Sequence, residues 1–229
     1  MSQDIVVISI GGSILIPDQN DSVYIGKLAR MLEKASEKVR VCVVCGGRKI
    51  ARYYTVTGRE LGGKEYDLDM LGIGCTRLNA GLLALALGDK SSVEIPLDVK
   101  TAAAKFKEGG IVVMGGTEPG HTTDAVATML ACELGAKRVI NATSVDAVYS
   151  DDPRKNPDAV RYDKLTIDEL DALVYKDHGA GKSSVFDPLG VQIAKKEKID
   201  IQMVDGRNLE KLEKAILGLP FSGTYINSQ

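Results

Sequence analysis

Ile5-Val6-Val7-Ile8-Ser9-Ile10-Gly11-Gly12-Ser13 is an apolar, β-branched run that stops at paired glycines. A run with so little polar alternation predicts a strand covered on both faces, as in a parallel sheet. The pattern recurs twice. Val39–Val44 leads through Cys45 to Gly46-Gly47, and Ile111–Met114 leads to Gly115-Gly116-Thr117. Val93–Ile95, Arg138–Asn141 and Ile199–Val204 read as further strands.

Helical patterns lie between these runs. Tyr24, Leu28, Met31, Leu32 and Ala35 form one apolar stripe. Others cover about 69–87, 99–106, 125–134 and 189–196. Gly135 fits a helix C-terminus, Thr166 with Glu169 a capping box, and Asp187-Pro188 an N-cap followed by proline. The order predicts an α/β fold, a mostly parallel, doubly wound sheet with helices on both sides. One domain, 1–229, is expected, with 151–163 as a surface excursion.

Composition narrows the function. Lys+Arg total 29 against Asp+Glu 31, which leaves no basic surplus for a nucleic-acid backbone or an anionic membrane. No signal peptide is read, and no apolar run approaches the roughly 20 residues of a membrane span, so a cytoplasmic protein is expected. Cys42 and Cys45 form a C-x-x-C inside a strand, where odd spacing sends side chains to opposite faces. Buried reduced thiols are favoured over a redox pair.

Three strands ending in Gly-Gly place flexible backbone at the carboxyl edge of a sheet, where open α/β folds bind ligands. Helix N-termini after such turns favour phosphate. Two familiar nucleotide motifs fail. Gly72-Ile73-Gly74 continues as Cys75-Thr76-Arg77 inside a helical pattern, and Gly181-Lys182-Ser183 has Lys176 where a P-loop needs glycine. The third turn runs on as Thr117-Glu118-Pro119-Gly120-His121-Thr122-Thr123-Asp124. Its paired threonines and acid suit a capped helix, and beyond that a phosphate site with a carboxylate that orients cations or Mg²⁺. His121 reads as a loop or ligand residue rather than a general base, since transfer onto an existing phosphate needs none.

The string Met114–Ala125 (MGGTEPGHTTDA), with Thr143–Pro153 (TSVDAVYSDDP), resembles the amino-acid-kinase family, and within it the archaeal branch that phosphorylates UMP. The likeness extends from Ile5 to about Val204. It implies a three-layer αβα sandwich, an acceptor-nucleotide lobe of roughly 1–135 and an ATP lobe of roughly 136–229. It implies Mg²⁺-dependent, reversible transfer from ATP to UMP, a homo-oligomer (a hexamer) and feedback by UTP. Carried over by position, Gly47, Asp69 and the loop Thr117, Glu118, Pro119, Gly120, His121, Thr122 and Thr123 belong to UMP. Ser9, Ile10, Gly11, Gly12, Ser13, Arg48, Arg52, Thr143, Tyr149 and Asp152 belong to ATP. Asp124 and Arg52 are the catalytic pair, Asp124 holding cationic groups in place; no resident metal ligand is assigned. The sequence departs from the family where a lysine is common two residues before the first Gly-Gly, which here is Ser9. Arg52, Arg48, Lys49 and Lys182 are the candidate replacement cations. A carboxylate acceptor on the same scaffold and a non-catalytic nucleotide sensor remain alternative readings.

Overall fold

A seven-stranded sheet forms the centre of this computed structural model, which describes residues 3–17, 21–153, 155–176 and 185–229. In chain order the strands are β1 (Ile5–Ile10), β2 (Arg40–Cys45), β3 (Val112–Met114), β4 (Arg138–Thr143), β5 (Val148–Tyr149), β6 (Arg161–Tyr162), β7 (Lys164–Thr166), β8 (Asp200–Asp205) and β9 (Thr224–Asn227). The sheet runs β3-β2-β1-β4-β8-β9-β7, with β3 to β8 mutually parallel and β9 antiparallel to β8. Strands β5 and β6 pair separately as a small antiparallel ladder.

The helices are α1 (Gly12–Leu15), α2 (Asp21–Ser36), α3 (Arg48–Glu60), α4 (Glu65–Leu87), α5 (Val99–Glu108), α6 (Thr123–Leu134), α7 (Ile167–Lys176), α8 (Pro188–Glu197) and α9 (Leu209–Ile216). One core cluster joins Ile8, Ile10 and Val43 to Leu28 and Leu32 of α2, Leu83 of α4 and Leu212 of α9. The other joins Val7, Val44 and Val139 to Phe106 of α5, Leu130 of α6, Leu170 of α7 and Val191 of α8. The period-two pleat divides each strand between these two cores, which makes the expected αβα sandwich. Each fully buried leucine or isoleucine contributes about 2 kcal/mol relative to exposure. Cys42 and Cys45 fall into opposite cores as free, buried thiols.

The caps form as read. Thr166 and Glu169 exchange hydrogen bonds, Asp187 Oδ1 accepts from the Gly190 N–H, and Gly135 ends α6 at φ 67°. Val93–Ile95 is the strand that fails. It lies in an irregular connection, with Val93 two-thirds exposed, because Pro96 follows directly and β3 already closes that edge of the sheet. Helix α3 is not among the expected elements; none of its residues is fully buried, and it meets the core through the partly buried Ile50. Helix α4 also corrects the expectation about apolar runs. With the turn after it, it forms a 26-residue segment long and apolar enough to cross a membrane by length and composition. Here Leu68, Ile73, Ala80, Leu83 and Ala84 bury one side of it in the protein. Arg77 and the buried Asn79 interrupt the run in sequence.

Candidate active site

The three glycine turns meet at the carboxyl edge of the parallel strands. The Gly46 N–H donates to Ile10 O at 2.8 Å, which ties the second turn to the first. A Cβ on Gly12 would come within 2.7 Å of Gly46 O and 2.8 Å of Arg48 N, so only glycine allows that approach. Helix α4 staples the third turn to the second. Asn79 Nδ2 donates to Gly46 O at 2.8 Å, while Thr76 Oγ1 accepts from the Gly116 N–H at 2.7 Å. Arg77 donates to Gly116 O and Thr117 O at 3.1 and 3.0 Å. These bonds fix the backbone of the turns and occupy the Gly46 and Gly116 amides. What this edge offers phosphate is therefore the N-terminus of α3, which opens after Gly47 without a side-chain cap.

The loop Thr117–Thr123 then crosses above α4. Asp69 Oδ2 accepts from the Gly120 N–H at 3.2 Å, and Gly120 itself sits at φ 85°. His121 Nδ1 lies 3.2 Å from Glu118 Oε1 without hydrogen-bond geometry. Thr122 caps α6, its Oγ1 accepting from the Ala125 N–H at 3.3 Å while donating to Asp187 Oδ2 at 2.8 Å.

Asp124 opens α6 over the sheet. Ser9 on β1 and Asn141 on β4 are register partners, so both project to the α6 side. Ser9 Oγ donates to Asp124 Oδ1 at 2.6 Å and Asn141 Nδ2 to Oδ2 at 3.3 Å. Burial pushes the Asp124 carboxyl up to about 6; the Ser9 bond opposes the rise, the Asp187 charge adds to it, and the Asn141 bond opposes it. Among the described residues, the side chains that hydrogen-bond the Asp124 carboxylate are the Ser9 hydroxyl and the Asn141 amide.

Of the candidate cations, Arg48 Nη1 donates to Ser13 Oγ at 3.0 Å, which brings those two ATP-side residues together. Arg52 sits one turn further along α3 with its side chain exposed. Lys182 lies outside the described residues. Thr143 ends β4, where the Gly11 N–H reaches the neighbouring Ala142 O at 3.0 Å and the Gly206 N–H reaches Thr143 O at 2.9 Å. Tyr149 stands apart on the small ladder. Its hydroxyl donates to Asp146 Oδ1 at 3.0 Å, and Arg161 Nε reaches the same carboxylate at 3.4 Å. Asp152 shapes the turn after it, its carbonyl accepting from the Lys155 and Asn156 N–H groups at 2.9 Å.

A glycine rim beside an Asp-bearing helix N-terminus on an αβα sandwich defines a phosphoryl-transfer scaffold. Residues 4–205 match the Amino acid kinase family, and the chain belongs to that family. It is 42% identical over 213 residues to a uridylate kinase of Methanosarcina barkeri, covering 93% of this chain and 91% of that protein. It is also 42% identical over 214 residues to the uridylate kinase of Archaeoglobus fulgidus, covering 93% and 95%. The crystal structure of an Archaeoglobus fulgidus uridylate kinase superimposes with a TM-score of 0.87 at 41% identity, over 96% of this chain and 99% of that one. A UMP kinase from Bacillus anthracis, at 22% identity and a TM-score of 0.81, shares the fold.

Proposed function

We propose that this chain is a uridylate kinase, which moves the γ-phosphoryl group of Mg·ATP onto UMP to give UDP and ADP, reversibly. The observation that carries the reading is the single rim formed by three glycine turns, with Asp124 and the loop Thr117–Thr123 beside it. Relatives at about 40% identity over nearly the whole chain carry that name. Mg²⁺ is written as part of the donor, since this ion is held chiefly by phosphate oxygens and water.

In phosphoryl transfer the protein positions reactants and neutralises charge. A phosphate oxygen of UMP attacks the γ-phosphorus in line. Gly47, Asp69 and Thr117–Thr123 hold UMP, with the backbone amides and Thr123 facing its phosphate, because the Thr122 hydroxyl already donates to Asp187. Ser9–Ser13 with Arg48 take the ATP phosphates, and Thr143, Tyr149 and Asp152 take the adenosine. Arg52, exposed on the first turns of α3, swings onto the transferring group. By the family likeness roughly 1–135 is the acceptor lobe and roughly 136–229 the ATP lobe, with Ser9–Ser13, Arg48 and Arg52 of the first lobe reaching the ATP phosphates.

A homo-oligomer also belongs to this reading, a hexamer by the family likeness, with UTP as a feedback ligand and the cytoplasm as its compartment. Its support is the exposed apolar surface of α3 and α4, where Tyr53, Tyr66, Leu78, Leu82 and Leu85 are 45–71% exposed. Light scattering at micromolar concentration tests it, and a monomer would contradict it. The function itself is tested by coupled ADP release with Mg·ATP and UMP. UMP-dependent release is expected, and its absence in folded protein would overturn the reading.

A further inference from the structure

Asp187 belongs to the part of the chain assigned to ATP, yet its carboxylate reaches the acceptor loop. Its two oxygens are divided between two helix N-termini. Oδ1 caps α8 through the Gly190 N–H at 3.1 Å, and Oδ2 accepts the Thr122 hydroxyl at 2.8 Å. Thr122 in turn caps α6 through the Ala125 N–H. One carboxylate therefore clasps the starts of α6 and α8, helices that pack along each other in the same core. Helix capping of α8 needs only one oxygen, so the bond to Thr122 is additional to that local role.

We propose that Asp187 is a positioning residue: acting through Thr122, it holds the acceptor loop and the first turn of α6 in the geometry that receives the acceptor phosphate, and so links the two nucleotide-binding halves. The inference rests on the function proposed above for the identity of the acceptor loop. Two consequences follow from the bond itself. The hydroxyl proton of Thr122 is committed to Asp187, so Thr122 contributes to acceptor binding by fixing the loop rather than by donating to phosphate. Thr122 stands two residues before Asp124 on the same helix start, so the clasp adjoins that acid, and the Asp187 charge adds to the rise of its carboxyl.

The test is a double-mutant cycle. Asp187→Asn keeps an oxygen to cap α8 but replaces the acceptor of the Thr122 proton, and Thr122→Val removes the hydroxyl. KM and kcat are measured at pH 8 with whichever acceptor the wild type turns over fastest, so a different acceptor would overturn the proposed function without touching this inference. Each single variant should raise the acceptor KM about fivefold, the order expected for one lost hydrogen bond to a charge at an exposed site, with kcat within about twofold. The double variant should be no worse than either single one, and Thr122→Ser should restore the wild-type KM. Unchanged or lower KM in a folded Asp187→Asn protein, or multiplicative effects in the double variant, would overturn it.

Discussion

Ser9 Oγ donates to Asp124 Oδ1 at 2.6 Å, from a strand position that is 1% exposed. That short bond ties the first glycine turn to the third and orients an acid whose burial opposes its charge. A serine there supplies one proton and no positive charge, so the charge that stabilises the transferring phosphoryl group must come from elsewhere on the rim.

Asp124→Asn tests whether that acid is chemical or merely structural. Asparagine keeps an oxygen for Ser9 and is itself tolerated at a helix start. The expected outcome is a kcat lower by about a hundredfold or more, the range for loss of a positioned electrostatic group, in a protein that remains folded. Near-normal turnover would leave Asp124 only its place in the first turn of α6.

The same carboxyl sets a pH dependence with opposite signs for activity and stability. Burial raises Asp124 from 3.8 to about 6, so the native state holds its proton more tightly than the unfolded chain. Its favourable contribution is complete below about pH 4 and lost as pH rises through 6. Urea titrations should therefore find Asp124→Asn more stable than wild type by about 1–2 kcal/mol at pH 8, with the gap closing toward pH 4. Wild-type kcat should fall as pH drops through about 6, as the ionised acid is lost. A rate flat from pH 8 to 5 would show that the ionised form is not required.

Much of this was legible in the sequence. Strands β1 and β2 announce themselves by long apolar runs rich in β-branched residues, β4 and β8 by shorter apolar stretches at Val139-Ile140 and Ile201 to Val204. The glycine pairs mark where the backbone must come close to a neighbour. Helix α3 was not legible, since it packs mainly on α4, meets the core only through the partly buried Ile50 and fully buries none of its residues. Nor were β5, β6, β7 and β9, which run two to four residues and depend on pairing partners far away in the chain. In the site, Asp124 and its loop stood out as a motif. Asn141 and Asp187 did not, because a polar residue late in a strand and an N-cap aspartate look ordinary until the fold sets them against Asp124 and Thr122.

Single removals of Arg48, Lys49, Arg52 and Lys182 should show one dominant loss. Arg52 is the expected one, because Arg48 is already held by Ser13 while Arg52 is exposed on the turn above the glycines. An arginine that meets only the transferring group lowers kcat more than it raises KM. Equal, mild effects at all four positions, each under about tenfold, would mean that no single cation takes the lysine's place.

Separate nucleotide sites predict separate defects. Tyr149→Ala should raise KM for ATP while leaving KM for UMP within about threefold, the scatter of local context. Asp69→Asn weakens the acceptor that holds the Gly120 N–H and should do the reverse. Two titrations per variant, each with the other nucleotide saturating, decide it. A Tyr149→Ala defect chiefly in UMP binding would place the halves wrongly.

The acceptor itself is the central claim. The direct measurement is kcat/KM for Mg·ATP-driven ADP release with UMP, CMP, dUMP, TMP, glutamate and aspartate, with UDP identified as product. UMP should exceed every other acceptor, and neither amino acid should stimulate release above background. An amino acid turned over as fast as UMP, or faster, would contradict the account.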